Sequence, residues 1–462
     1  MVATNRIQLR AGQRIHLIGV GGVGMSALAA ILAHRGFSVS GSDRSEGPHL
    51  ERLRELGVHV SVPQTVGGAG DADVVVRSTA IPDDNPELAD ARDRGLPVYH
   101  RSELLAAIVR GMTRVAVSGT HGKTTTTAML ATIMVEAGRD PLAIIGGDAA
   151  NIGENYHLGS EPLAIFEACE SDASFLRYGP CSEIITNVEP DHLDQHGTFD
   201  EVRRVFGEFV ELVPADGFLA WSAEDAHLRD MARRCRGESI PCGLRAEAAF
   251  SADGIELRPF GAGFRLLAEG RAVGRVELQV PGEHNVRNAL LAVAAATRLG
   301  LSAEEAAAGL AHFRGVGRRF ELLGELDGAL VIDDYAHHPT EVSATLAAAR
   351  RGWPNRRIIA IFQPHLYSRT RDFGDDFAEA LAAADVVIVA DIYGAREQPI
   401  DGVCAEDLAE RVARRAPGRQ VRFLPDNGQI LEAVRALAKP GDLIMTLGAG
   451  DIRQVGEALV CG

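Results

Sequence analysis

The segment VAVSGTHGKTTTT, residues 115–127, decides the fold of this chain. Its valine-rich start predicts a buried strand, and its threonines open a predicted helix that continues to Ala137. A glycine-rich turn between a strand and a helix is the setting that a phosphate loop requires. Lys123 is one of two lysines among the 47 lysines and arginines. Because a compact ammonium reaches phosphate oxygens where a planar guanidinium would not fit, Lys123 indicates an ATP site.

The spacing of this loop differs from the usual phosphate-loop motif. The chain has GxxGKT where the motif has GxxxxGK[ST]. A glycine-rich turn that carries a surface lysine is therefore the alternative interpretation. If the loop binds ATP, the residues expected to contact the nucleotide are Gly119, Thr120, His121, Gly122, Lys123, Thr124 and Thr125.

Two further predicted strands lead into ionisable side chains. One covers residues 162–167 and ends at Glu167, and the other starts at Ser182 and leads to His192. If both are parallel neighbours of the 115–118 strand, Glu167 and His192 converge near the γ-phosphate, where Mg²⁺ takes oxygen ligands and accepts an imidazole. The alternative is that Glu170 and Asp172 belong to a solvated loop and that His192 only begins a helix.

The N-terminal part carries a second glycine-rich turn. A predicted strand from Arg14 runs into GVGGVGMS, residues 19–26, and an alanine-rich helix follows to about Gly36. The glycines match the dinucleotide fingerprint, and Asp43 ends the next strand near the place of a ribose-binding acid. A tight turn without a ligand is the alternative. Ser78, Thr79 and Ala80 follow another strand at the carboxyl edge, where such sheets bind ligands.

A third α/β stretch begins near Arg319. The strand at 330–334 leads into DDYAHHP, and Pro339 suits the first helical position, so the two Asp and two His residues are expected in an exposed turn. Ionisable groups gathered in one turn suggest ligand binding. Before this stretch, residues 245–281 predict β-hairpins, and a helix through Leu299 follows, at whose start Asn285 either caps the helix or contacts a base.

Length and composition limit the remaining choices. A chain of 462 residues predicts two to four domains, and three α/β stretches favour three. The net charge of −16 argues against broad nucleic-acid binding. No stretch reaches the ~20 apolar residues that cross a bilayer, so no membrane insertion is expected. The scattered cysteines and the polar N-terminus predict reduced thiols and a cytoplasmic protein without structural zinc.

Ten ordered blocks resemble the Mur ligase family of peptidoglycan synthesis, over nearly the whole chain. They are HLIGVGGVGMSALA (16–29), GTHGKTTTT (119–127), EACESDASFL (167–176), TNVEPDHLD (186–194), GEHNVRNALLA (282–292), GVGRRFE (315–321), DDYAHHPTEV (333–342), FQPHLYSRT (362–370), YGAREQPIDG (393–402) and LGAGDI (447–452). In this family the short phosphate loop is the expected form.

The resemblance implies an α/β fold with three domains. They are a Rossmann-like UDP-sugar-binding domain (1–111), a central P-loop ATPase-type domain with a mixed sheet (112–317) and a Rossmann-like amino-acid-binding domain (318–462). The blocks are most similar to the family type that uses ATP and Mg²⁺ to join L-alanine to the lactyl carboxylate of UDP-N-acetylmuramate. That reaction passes through an acyl phosphate and is the first amino-acid addition in peptidoglycan precursor synthesis. A weak homodimer is compatible with the sequence.

The resemblance also implies roles for single residues. The UDP-sugar would contact Gly21, Gly22, Gly24, Met25, Ser26, Asp43, Ser78, Thr79 and Ala80. Mg²⁺ would be held by Thr124, Glu167 and His192, with Lys123 on the phosphates. Asn285 and Asn288 would hold adenine, Asp334 the ribose and Arg319 the γ-phosphate, while His338 and Arg369 would contact the amino acid or the intermediate.

Two positions depart from the family pattern. Leu366 stands where the family often has arginine, so no phosphate or carboxylate contact is assigned to it. Cys169 replaces a common acid, which leaves Glu167 as the better Mg²⁺ ligand in its block.

Two other functions are alternatives to a ligase. An NAD-linked oxidoreductase would use the first glycine turn and Asp43, but it leaves Lys123, Glu167 and His192 without a role. A non-catalytic UDP-sugar sensor on the same scaffold would have no need to keep these three residues and Asp334.

Overall fold

The computed structural model describes residues 7–245 and 247–461, which fall into two compact units. Unit 1 holds the described residues up to Ser251 together with Leu267–Arg271 and Asn288–Leu310. Unit 2 holds Ala252–Leu266, Ala272–Arg287 and the residues from Ala311 onward. Among the described residues, no helix is long and apolar enough to cross a membrane.

Unit 1 begins with a five-stranded sheet in the order β3-β2-β1-β4-β5, in which all neighbours are parallel. Its elements are β1 (Arg14–Ile18), α1 (Val23–His34), β2 (Ser38–Ser42), α2 (Pro48–Glu55), β3 (His59–Ser61), β4 (Val74–Arg77), α3 (Pro86–Asp93), β5 (Val98–His100) and α4 (Arg101–Ile108). The strand order reverses between β1 and β4, so the crevice at their carboxyl ends is the expected ligand site of this sheet.

The second sheet of unit 1 contains the Lys123 loop. Its elements are β6 (Thr113–Ser118), α5 (Lys123–Glu136), β7 (Leu142–Ile144), β8 (Tyr156–His157), β9 (Leu163–Glu167), a 3-10 turn (Ser174–Tyr178), β10 (Ser182–Ile185), α6 (Leu193–His196), α7 (Phe199–Val210), β11 (Phe218–Ser222), α8 (Ala226–Ala232) and β12 (Glu238–Gly243). The order is β12-β11-β10-β6-β9-β7-β8, and the β7–β8 pair is antiparallel. The sheet is therefore mixed, as predicted.

The predicted hairpins at 245–281 are three long strands. They are β13 (Phe250–Arg258), β14 (Gly261–Ala268) and β15 (Arg271–Leu278), and the helices α9 (Glu283–Arg298) and α10 (Ala303–Leu310) follow. In unit 1, Phe250 and Ser251 at the start of β13 pair with Cys242 and Gly243 of β12.

Unit 2 contains a six-stranded sheet in the order β16-β17-β21-β18-β19-β20. Its elements are β16 (Glu321–Leu326), β17 (Ala329–Asp334), α11 (Pro339–Gly352), β18 (Ile358–Phe362), α12 (Tyr367–Asp372), α13 (Gly374–Leu381), β19 (Val386–Val389), α14 (Ala405–Arg415), β20 (Gln420–Phe423), α15 (Asn427–Leu437), β21 (Leu443–Leu447) and α16 (Arg453–Val460). Only β16 runs antiparallel to its neighbour. The predicted strands near 330, 358, 385 and 442 are confirmed, and they are buried because helices cover both sheet faces.

Candidate active site

The Lys123 loop is held by the neighbouring strand. Thr120 N donates to the Asn187 carbonyl at 3.0 Å, and His121 N donates to Asn187 Oδ1 at 2.8 Å. Gly122 has φ +82°, and a Cβ there would lie 2.7 Å from Asn288 Oδ1. Because a side chain at Gly122 would be strained and would clash, the loop requires glycine at this position. Asn187 was not assigned a role from the sequence, although it lies in the quoted TNVEPDHLD block.

The strand arrangement brings the predicted ligands of Mg²⁺ to one edge. Both β9 and β10 lie next to β6 and are parallel to it. The strands that lead to Glu167 and His192 are therefore parallel neighbours of the strand before the Lys123 loop, which is the arrangement that the metal-site prediction required. The carboxyl ends of the three strands share the edge of the sheet that carries the Lys123 loop.

The Lys123 ammonium is buried among oxygen acceptors. Nζ donates to the carbonyls of Gly119 at 2.6 Å and Thr120 at 3.0 Å, and to Glu170 Oε1 at 2.9 Å. Burial alone would lower the pKa of Lys123, but the carboxylates of Glu170 and Glu167 outweigh it and raise the pKa above its usual value. Lys123 therefore stays charged at neutral pH.

Glu170 corrects one interpretation of the sequence. The solvated-loop alternative is wrong for this residue, because Glu170 is only 4% exposed. The Lys123 cation compensates the cost of burying its carboxylate. Its second oxygen, Oε2, is buried and has no hydrogen-bond partner among the described residues.

The remaining predicted metal ligands lie around this pair. Thr124 Oγ1 donates to Glu167 Oε2 at 2.7 Å. A Cβ on Gly146 would collide with both groups, so the glycine leaves room beside them. His192 Nε2 lies 3.6 Å from Glu170 Oε1, and the same residue begins α6 with φ +53°. The ligand interpretation and the helix-start interpretation of His192 are thus compatible.

The N-terminal glycine loop is tied down by Asp43. Gly21 N donates to Asp43 Oδ2 at 2.8 Å, and a Cβ on Gly21 would lie 2.9 Å from that oxygen. The Asp43 side chain therefore has a structural role in shaping the loop in addition to any contact with ligand. Met25 and Ser26 are buried in the first turn of α1, while Gly22 is exposed and Gly24 is half-buried.

The other predicted UDP-sugar segment lies at the end of β4. Ser78 is half-buried, while Thr79 and Ala80 are exposed. Thr79 Oγ1 donates to Asp172 and lies 3.1 Å from His100 Nε2. Asp172 is therefore not a free loop residue either, which corrects the solvated-loop alternative for it. Burial lowers the pKa of His100 to about 4, so its imidazole is neutral at pH 7.

The predicted adenine ligands have different surroundings. In unit 1, Asn288 lies against Gly122 of the Lys123 loop. In unit 2, Asn285 is buried, and its Nδ2 donates to the Pro281 carbonyl at 2.7 Å. This hydrogen bond occupies part of the Asn285 side chain, but Asn285 is the third residue of α9 and its Nδ2 donates to a carbonyl, so the contact is local and is not an N-cap.

The expected exposed turn after β17 is wrong. Asp333 is fully buried, because Thr446 Oγ1 donates to it at 2.7 Å and Arg318 and Arg453 pair with it. Asp334 is 7% exposed and accepts from the backbone N–H groups of residues 320 and 336. Burial raises the pKa of Asp334 to about 6.

The last predicted residues of unit 2 are also largely buried. The Arg319 guanidinium lies 5.2 Å from the Tyr335 ring centroid and 3.6 Å from Glu341 Oε1. His338 caps α11 and packs on Phe373, and Arg369 Nη1 lies 3.2 Å from a ring nitrogen of His365. Leu366 is 3% exposed, so its side chain packs inside unit 2.

Comparisons with known proteins agree along the whole chain. Residues 14–113 match the model of the Mur ligase family catalytic domain, 117–296 the Mur ligase middle domain and 318–450 the Mur ligase glutamate ligase domain. The UDP-N-acetylmuramate–L-alanine ligase of Geotalea daltonii is 43% identical over 97% of this chain and 97% of its own length. That of Paenarthrobacter aurescens is 45% identical over 97% and 96%.

Solved structures give the same result. A UDP-N-acetylmuramate-alanine ligase from Thermotoga maritima superposes with a TM-score of 0.83 at 29% identity, covering 97% of this chain and 98% of that one. A murein peptide ligase from Psychrobacter arcticus gives a TM-score of 0.75 at 26% identity, with the same coverage. From the three family models and the nearly full-length relatives, the chain belongs to the Mur ligase family.

Proposed function

We propose that this chain joins L-alanine to the lactyl carboxylate of UDP-N-acetylmuramate at the expense of ATP. The observation that carries the proposal is similarity of 41–45% identity over 97% of the chain to relatives named for this reaction. The product would be the first amino-acid adduct of the peptidoglycan precursor. Because ATP and a nucleotide sugar are the substrates, we place the enzyme in the cytoplasm.

The chemistry must first activate a carboxylate. A carboxylate oxygen attacks the γ-phosphorus of ATP, the bond to ADP breaks, and an acyl phosphate forms. The neutral amine of L-alanine then attacks the acyl carbon, and the tetrahedral intermediate loses phosphate and a proton to give the amide. Phosphoryl transfer of this kind depends on positioning and on neutralisation of negative charge.

Lys123 supplies that neutralisation in our proposal. Its charge is secured by Glu170 and Glu167, and we expect the backbone N–H groups of the glycine loop to face the phosphates when ATP is bound. When ATP is bound, we expect the ammonium to be shared between Glu170 and the phosphate oxygens, which places a cation where charge develops. The Asn187 side chain, whose Oδ1 accepts from His121 N and whose Nδ2 donates to the His121 carbonyl, keeps the loop in this shape.

The surroundings of Lys123 also fit a divalent cation. Thr124 and Glu167 offer adjacent oxygens, and His192 offers an imidazole near Glu170. Glu170 Oε2 is a buried oxygen that has no hydrogen-bond partner within residues 7–245 and 247–461. Oxygen ligands with one imidazole suit Mg²⁺. We propose that Thr124, Glu167 and His192 hold Mg²⁺, which supplies charge stabilisation to the phosphates when it is bound.

We assign the other ligands as the family resemblance implies. The UDP-sugar belongs to the glycine loop at 19–26 with Ser78–Ala80, in a domain of residues 1–111. Asn288, in the domain 112–317, is proposed to bind adenine. Asp334 and Arg319, in the domain 318–462, are proposed to bind the ribose and the γ-phosphate. His338 and Arg369, in the domain 318–462, are proposed for the amino acid or the intermediate.

A product assay tests the function directly. Purified chain is incubated with ATP, Mg²⁺, UDP-N-acetylmuramate and an equimolar mixture of L-alanine, glycine, L-serine and the tripeptide L-alanyl-γ-D-glutamyl-meso-diaminopimelate, and the products are read by mass spectrometry. We expect the L-alanine adduct to dominate, with one ADP formed per amide. A dominant tripeptide adduct would make the chain a ligase that joins a whole tripeptide to the sugar. NAD reduction without ADP formation would make it an oxidoreductase.

A further inference from the structure

Arg101 is a cation at the ligand edge of the N-terminal sheet that the functions assigned so far do not use. It is the first residue of α4 and directly follows β5. Strand β5 pairs in parallel with β4, where His100 lies opposite Arg77. Arg101 therefore lies at the same carboxyl edge as the glycine loop after β1 and as Ser78–Ala80 after β4.

The guanidinium of Arg101 reaches the glycine loop. Its Nη1 atom lies 3.5 Å from the place that a Cβ on Gly24 would take. A Cβ at this distance would be in ordinary van der Waals contact with the guanidinium, so Arg101 lies directly beside the first turn of α1.

Arg101 lacks the partners that other arginines of this region have. Arg14, Arg54, Arg92 and Arg94 each pair with an aspartate or glutamate. Arg101 is half-buried, and among the described residues its side chain has neither a hydrogen bond nor an ion pair. The guanidinium is therefore available to an anionic ligand, which would bind it without displacing a carboxylate from ion-pair distance.

The surroundings keep Arg101 charged. Burial opposes the charge, but nearby acidic groups outweigh it and raise the pKa of Arg101, and at neutral pH the charged ones among them are the carboxylates of Asp172 and Glu167. Asp172 is itself bound to Thr79, and Glu167 to Thr124. Arg101 therefore lies near both the predicted sugar-nucleotide loop and the predicted metal ligands.

We propose that Arg101 binds the pyrophosphate of the UDP-sugar substrate. The inference rests on the proposed function and adds a binding residue to it. Two anionic ligand groups are available in that substrate, the pyrophosphate and the lactyl carboxylate. The pyrophosphate is favoured because Arg101 lies beside Gly24, in the loop on which the pyrophosphate is placed, and because a guanidinium binds phosphate oxygens through two parallel hydrogen bonds.

Calorimetry with two ligands tests the assignment. UDP keeps the pyrophosphate and lacks the lactyl carboxylate, whereas UDP-N-acetylmuramate has both. We expect Arg101→Ala to weaken the binding of both ligands about 10- to 100-fold, the range of a charge-assisted contact. Arg101→Lys should recover part of the loss, since it restores a point charge. Arg92→Ala, which removes a paired surface arginine of the same sheet, is the control and should leave both affinities unchanged.

Three results would overturn the assignment. If Arg101→Ala loses affinity for UDP-N-acetylmuramate but not for UDP, Arg101 binds the lactyl carboxylate. If both affinities are unchanged, Arg101 has only a structural role. Equal loss of ATP-analogue affinity would indicate a general effect on the fold, which thermal unfolding of each variant also checks. Failure of the proposed function is separate, because it would appear as a wild-type chain that does not turn over UDP-N-acetylmuramate.

Discussion

The pairing of Lys123 with Glu170 sets the charge state of the phosphate site. A lysine that is buried without a partner loses its proton readily, whereas one that faces a carboxylate keeps it. Glu170 holds the ammonium at 2.9 Å, so the cation is in place before any nucleotide arrives. The site is in this sense organised in advance for phosphate oxygens.

Substitution of Lys123 should separate catalysis from sugar binding. We expect Lys123→Ala and Lys123→Arg to lower ADP formation about 10²- to 10³-fold, the usual effect of removing one group that stabilises the transition state. Binding of UDP should change little, because the glycine loop lies on another sheet. The other lysine, Lys439, is exposed, so Lys439→Arg is the matched control. Loss of UDP affinity in both Lys123 variants would contradict this division.

Substitutions of Glu167 and Glu170, the two glutamates near Lys123, should respond differently to Mg²⁺. We expect Glu167→Gln and His192→Ala to raise the Mg²⁺ concentration required for half-maximal turnover, because each would remove a ligand. Glu170→Gln should mainly lower turnover at saturating Mg²⁺, since it frees Lys123 from its partner. Initial rates over a Mg²⁺ series measure both effects. The metal assignment fails if Glu167→Gln and His192→Ala keep the wild-type Mg²⁺ dependence.

At the level of elements, strand β10 contains a buried carboxyl group, that of Glu183. Glu183 is fully buried in the middle of the strand, and neither of its carboxyl oxygens has a hydrogen-bond partner among the described residues. Burial raises the pKa of Glu183 well above its usual value. The folded state therefore binds a proton that the unfolded chain releases above a pKa of about 4.3.

This site should make unit 1 less stable as pH rises. A group whose pKa is higher in the folded than in the unfolded chain stabilises the folded state at pH values below its unfolded pKa. That contribution to the free energy of unfolding disappears as the pH rises towards the pKa of the folded state. Glu183→Leu should be more stable than wild type at pH 8, by about 1–3 kcal/mol, and the difference should shrink towards pH 5. Urea unfolding followed by Trp221, on the neighbouring β11, measures it. A difference that is constant from pH 5 to 8 would show that Glu183 does not titrate.

Apolar runs predicted the elements well because they report burial directly. Short apolar segments predict seven strands, namely β6, β9, β10, β17, β18, β19 and β21. The end of each predicted strand also gives the start of the loop after it. Side-chain pairing was harder to predict. Asp333 was expected to be exposed, and its burial depends on Thr446 and Arg453, more than 100 residues away in sequence. No local pattern contains such a contact.

The same limit explains the missed residues of the site. Glu170 was quoted in the EACESD block, yet its pairing with Lys123 depends on β9 lying beside β6. Arg101 becomes conspicuous only when β5 is placed beside β4 and the glycine loop comes within reach. A signal in the sequence is the position of HRS, residues 100–102, directly after the short apolar pair at 98–99, since ligand residues of parallel sheets follow such strands.

At the scale of the whole molecule, the chain forms two compact units with one tryptophan each. Trp221 lies in unit 1, which also holds the glycine loop and the Lys123 loop, and Trp353 lies in unit 2. Large chains of this kind often depart from two-state unfolding. Single-tryptophan variants, Trp353→Phe and Trp221→Phe, would report the unfolding of each unit by itself.

A ligand of unit 1 should stabilise one unit selectively. UDP binds folded unit 1 in our proposal, so at about 100 times its dissociation constant it should stabilise that unit by ~2.7 kcal/mol. The transition seen by Trp221 in Trp353→Phe should move to higher urea, while the transition seen by Trp353 in Trp221→Phe should stay in place. Inorganic phosphate at the same concentration is the control. Equal shifts in both variants would mean that the two units unfold as one cooperative structure, and the assignment of UDP to unit 1 would then need the binding data on Arg101.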